Sequence, residues 1–90
     1  MKKIFAILLV LAMITGSALA CGEVDGLWGD SYIRSYPSLY GAEIGVLPQG
    51  ETAEFLFEEA MDERGVIWYL VDYYGTIGWV SSRYTALYTC

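Results

Sequence analysis

Residues 76–84 read TIGWVSSRY, and the way this run ends decides the fold. Residues 76–80 are β-branched and aromatic around a glycine, the composition of a strand. Trp79 and Val80 fall on opposite faces of it, and Gly78 lets a neighbouring backbone or ring come close. Ser81-Ser82-Arg83 then breaks the run as a tight helical turn that presents Tyr84. Just upstream, VIWYLVD (66–72) is a richer strand, and Tyr73-Tyr74-Gly75 turns it back into the first.

Outward from this hairpin the chain stays β-like. SYIR (31–34) and EIGVL (43–47) are strands separated by a loop in which Pro37 and Gly41 enforce irregular backbone. PQGE (48–51) is a turn, with Pro48 presetting φ and Gly50 able to take a positive one. In TAEFLFE (52–58), Ala53, Phe55 and Phe57 alternate with Thr52, Glu54 and Glu58, the period of a half-buried strand. The acidic stretch 58–63 reads as a solvated loop, because like charges crowd it and Gly65 follows within two residues. TALY (85–88) adds a last short strand. Five or six short strands cannot bury both faces of an open sheet, so they must curl around one core. The residues expected in that core are Ile33, Ile44, Val46, Ala53, Phe55, Phe57, Leu70, Ile77, Val80 and Leu87.

The N-terminus has a different character. Lys2 and Lys3 precede an unbroken apolar run from Ile4 to Ile14, and Thr15 to Ala20 supplies a small-residue cleavage region, the plan of an export signal cut after Ala20. The run is shorter than the ~20 apolar residues a spanning helix needs. This divides the chain into a signal peptide (1–20), a lead-in (21–30) and one domain (31–90). After cleavage, three arginines set against eleven carboxylates leave a formal charge of −8. So acidic a surface repels nucleic acid and anionic lipid, and also serves to keep a small exported monomer soluble. Cys21 and Cys90 are the only cysteines. An even count in an exported chain favours a Cys21–Cys90 disulfide. Lipid attachment at Cys21 is the other reading, since ALAC (18–21) resembles a lipobox with Ala18 and Leu19 in reversed places. Only in that case is a membrane a partner.

Catalytic machinery is not in view. The chain has no histidine, both lysines lie in the signal segment, and neither cysteine sits beside a base, so no nucleophile and base pair assembles. Glu58, Glu59, Asp62 and Glu63 match no calcium-loop spacing, and no set of transition-metal ligands is present; no metal or cofactor is expected.

IRSYPSLYGAEIGVLPQGE (33–51) followed by WYLVDYYGTIGWVSSRY (68–84) resembles the bacterial Src homology 3 (SH3-like) family. The family pattern joins an arginine-serine-x-proline-serine loop to a Trp-Tyr strand and a glycine-aromatic-valine-serine-serine-x-tyrosine ending. Tyr36 stands where the family usually has glycine, and the segment 57–65 is longer and more acidic than usual. The resemblance implies an all-β, SH3-like barrel of five to six antiparallel strands, non-catalytic, acting at the cell envelope. It also implies a shallow aromatic groove, carried by position to Trp68 and Tyr84. Tyr36, Tyr40 and Trp79 are the further candidates for the groove, with the loop tyrosines Tyr32, Tyr36 and Tyr40 beside it. Trp68 and Tyr84 equally suit a plain barrel cap. The implied ligand is peptidoglycan or an extended peptide, and the alternative is an extracellular protein partner or an inhibitor role.

Overall fold

The computed structural model describes residues 22–89; the segment read as a signal (1–20) and both Cys21 and Cys90 lie outside them. The described residues form seven strands: β1 (Glu23–Gly26), β2 (Ser31–Arg34), β3 (Glu43–Leu47), β4 (Thr52–Met61), β5 (Ile67–Tyr73), β6 (Thr76–Ser81) and β7 (Thr85–Tyr88). They pair antiparallel in one sheet, in the order β3-β2-β6-β5-β4-β1-β7. The stretch read as a lead-in contributes β1, held between β4 and β7.

Val24, Ile33, Leu47, Ala53, Phe55, Val71 and Val80 pack into one buried cluster. Those side chains come from strands near both ends of the sheet, so the sheet is curled around them. The β1–β4 ladder runs on into the turn before β4, with Gly26 N–H donating to Glu51 O (2.9 Å) and Gly50 N–H donating to Gly26 O (2.8 Å). Gly78 marks the crossing of β2 over β6. A Cβ there would lie 2.7 Å from both Arg34 O and Ile33 Cγ2, so the close approach expected of this glycine is present.

Four residues expected in the core face solvent instead: Ile44, Val46, Phe57 and Ile77. In β3 the choice of face was between Ile44/Val46 and Gly45/Leu47, and a slip of one residue swaps every side chain. Pairing of Ser31 with Leu47 and Ile33 with Gly45 puts Leu47 inside. Leu70 and Leu87 are only half-buried. On β5 and β6, Tyr69 pairs with Val80 on the core side, which leaves Ile77 on the other.

β4 carries the largest correction. It does not end at Glu58 but runs on to Met61, where Glu59, Ala60 and Met61 pair with Tyr69, Trp68 and Ile67. Ladder pairing with β5 outweighs the crowding of like charges, which face outward. A bulge between Phe55 and Glu59 breaks the alternation, and its residue Phe57 takes φ of 61°. The ring swings out of the core to lie 4.9 Å from that of Phe55 and against Gly22.

Candidate functional site

The turn after β6 is built as its residue types dictate. Ser81 Oγ accepts from Arg83 N–H (3.0 Å), Ser81 O accepts from Tyr84 N–H (3.5 Å), and Thr85 Oγ1 donates to Ser81 O (2.9 Å). The turn therefore projects Arg83 and Tyr84 outward, both exposed.

Facing it is the β4–β5 turn, organised by one side chain. The Asp62 carboxylate, with no exposed surface, accepts Arg64 N–H (2.8 Å) and Val66 N–H (3.0 Å) on Oδ1. On Oδ2 it accepts Arg64 Nε (3.1 Å), Arg64 Nη2 (2.7 Å) and Trp68 Nε1 (2.9 Å). Burial raises the carboxyl, but these donors outweigh it, Trp68 and Arg64 foremost, and hold Asp62 well below the usual carboxylate range. Asp62 is thus an internal clasp, and the acidic stretch is no solvated loop at this position. Gly65, at φ of 83°, completes the turn.

Between these turns and β2 lies a cleft of about 120 Å³. Ser31, Tyr32 and Arg34 of β2, Leu39 of the following loop, Arg64, Trp68 and Ser81, and the pair Arg83 and Tyr84 line it, with Asp30 at the foot of β2. Tyr32, Leu39 and Tyr84 are each about half exposed and supply apolar surface open to a ligand.

The cleft brings together Trp68 and Tyr84, the two residues placed there by position in the sequence. Their roles differ. Trp68 is 1% exposed, so its indole forms part of the wall while its N–H is spent on Asp62; it offers no free ring face for stacking. Tyr84 keeps such a face. Trp79 is half-buried, paired with Arg34 and Leu70, and outside the lining. Tyr36 and Tyr40 are the most open of the loop tyrosines and also do not line the cleft. Tyr32 does line it, its ring 5.7 Å from the Arg34 guanidinium carbon. Sequence reasoning missed the arginines, Leu39 and Ser31. The alternation of SYIR, which sets Tyr32 opposite in facing to Ser31 and Ile33, was the available signal for Tyr32. Nothing in the local sequence pointed to Arg34, Arg64 and Arg83 as neighbours.

Comparison with curated proteins gives no match. A family model does match: that of the bacterial SH3 domain, over residues 25–86, from within β1 into β7. The match takes in all of β2 to β6, parts of β1 and β7 and every residue lining the cleft, and it agrees with the curled antiparallel sheet and the Tyr84 turn. The chain belongs to the bacterial SH3 domain family.

Proposed function

We propose that this protein is an exported, non-catalytic binding module of the cell envelope that takes up peptidoglycan or an extended peptide through the cleft beside Tyr84. Bacterial SH3 domains are binding modules, often associated with the cell wall, and generally not catalysts. The observation that carries the reading for this chain is the cleft itself. Tyr32, Leu39 and Tyr84 expose large side chains around a wall fixed by the buried Trp68–Asp62 bond. Tyrosine rings on a rigid frame bury large area on binding at low entropic cost and keep a hydroxyl for a polar ligand.

Co-sedimentation with purified cell wall sacculi tests it. The protein is expected to pellet, and Tyr84→Ala and Tyr32→Ala to pellet at least tenfold less while unfolding at the same temperature. Trp68→Ala is unsuited to the test, because it removes a buried ring and unfolds the wall. Failure to pellet, combined with capture of one envelope protein in a Tyr84-dependent manner, would favour a protein-binding or inhibitory module instead.

A further inference from the structure

Arg34 opens the run RSYPS (34–38), and the loop that follows it, residues 35–42, carries Leu39 into the lining of the cleft. Within that loop Ser38 alone is buried, while Tyr36, Leu39, Tyr40 and Ala42 all face solvent. No apolar side chain of the loop is buried, so packing does not fix where Leu39 stands.

Hydrogen bonds have to fix it instead. At the base of the loop, Ser35 N–H donates to Ala42 O (2.9 Å) and Ala42 N–H donates to Ser35 Oγ (3.2 Å). At its tip, Ser38 N–H donates to Tyr36 O (2.8 Å), Gly41 N–H to Ser38 O (3.0 Å) and Tyr40 N–H to Ser38 Oγ (3.1 Å). These bonds give the loop its shape but leave it free to swing about its base.

The tie to the sheet is the Arg34 side chain. Its Nη1 donates to Leu39 O (3.2 Å) and to Gly41 O (3.1 Å), and among the described residues no other group of β2 bonds to either. The guanidinium is itself held in place. Nη2 stands 3.5 Å from Glu43 Oε2 on β3, the guanidinium carbon lies 5.7 Å from the centre of the Tyr32 ring, and the side chain is 14% exposed. A planar fork can serve two carbonyls with one nitrogen and a carboxylate with the other while it lies by a ring; a lysine ammonium is a single point and cannot. One side chain thus joins Tyr32 and Leu39, two exposed apolar members of the cleft lining.

We propose that Arg34 is a positioning residue, which holds loop 35–42 to β2 so that Leu39 and Tyr32 together form the apolar side of the cleft. It acts through Leu39 and not through its own charge, which Glu43 and the loop carbonyls already engage. This rests on the reading of the cleft as a binding site and adds the group that sets its shape.

The test joins amide hydrogen exchange to co-sedimentation with purified sacculi, for the parent, Arg34→Gln, Arg34→Lys, Leu39→Ala and the double variant Arg34→Gln/Leu39→Ala. Arg34→Gln is expected to speed exchange at Ser38, Tyr40, Gly41 and Ala42 at least tenfold while β5 keeps its protection, and to pellet about tenfold less. Arg34→Lys keeps the charge without the fork and should match Arg34→Gln in both readouts. Leu39→Ala should lose binding to a similar extent with loop exchange unchanged. The double variant should then bind no more weakly than Leu39→Ala alone, because two changes that act through one contact do not add. Full binding by Arg34→Lys would show that the charge is what matters and overturn the proposal. Additive losses in the double variant would overturn it as well, since Arg34 would then act on the ligand independently of Leu39. Loop exchange unaltered by Arg34→Gln overturns it whether or not sacculi bind. If the parent itself does not pellet, the binding reading fails, and the exchange result alone decides whether Arg34 holds the loop.

Discussion

Asp62 sits at the N-terminal side of a turn, in a run of carboxylates whose other members are exposed, and accepts five hydrogen bonds on a side chain that is fully covered. The charged form is the one the fold holds, so its pKa is depressed in the folded state relative to the ~3.9 of an unfolded aspartate. A depressed carboxyl contributes stability that is fully present above the unfolded value and is lost as pH falls below about 4. Asp62→Asn is therefore expected to lower stability most at neutral pH, with the gap to the parent narrowing below about pH 4. Urea unfolding of both proteins at pH 7 and in the acid range checks this, and parallel pH profiles would refute it. The same residue shows what local sequence conceals. EEAMDE looks uniformly solvated, and only the return of Trp68 along β5 supplies the partner that selects Asp62 from its neighbours. The family resemblance alone assigns Trp68 to the groove, with a plain barrel cap as the alternative, and the burial of its indole depends on that long-range bond.

At the scale of elements, the turns and ladders were legible where glycine or strict alternation marked them. β2, β3 and β7 begin and end where their patterns do. The hairpin between β5 and β6 closes on Tyr74 and Gly75, with φ of 49° and 94°, two positive values in a two-residue loop. That is the backbone for which asparagine-glycine is favoured, and a tyrosine at its first position is strained. Tyr74→Asn is expected to stabilise the domain by about 1 kcal/mol, read as a shift in the urea midpoint, with cleft binding unchanged. A destabilised variant would show that the 4.8 Å edge contact between Tyr73 and Tyr74 outweighs the backbone strain. Gly78 gives the opposite case. Its missing Cβ is where Arg34 O and Ile33 approach, and backbone cannot withdraw as a flexible side chain can. Gly78→Ala should cost about 1–3 kcal/mol and loosen β2 from β6, measured as faster amide exchange in Ser31–Arg34. The bulge at Phe57 had no such marker, because its register depends on which residues of β5 lie opposite, and two phenylalanines spaced by two imply unbroken alternation.

For the whole molecule, the all-β class and the curl were readable, since short strands in so few residues have no other way to bury a face. The charge distribution was not. Net charge is a property of composition, whereas the gathering of Arg34, Arg64 and Arg83 is made by three separate loops and strand ends that meet only when the sheet closes. Closure also bears on the two cysteines. Glu23 pairs with Tyr88 in the β1–β7 ladder. The β1–β7 pairing brings the two ends of the described residues together, and the even cysteine count favours a Cys21–Cys90 bridge, so the intact mass is expected to gain two hydrogens on reduction. Loss of a link that closes nearly the whole domain should lower the unfolding free energy by about 4 kcal/mol in the chain-entropy description, a large part of what a domain this small holds. A mass that reductant leaves unchanged would exclude the bridge, and one raised by a diacylglyceryl group would assign Cys21 to a membrane anchor, with Cys90 left as a thiol.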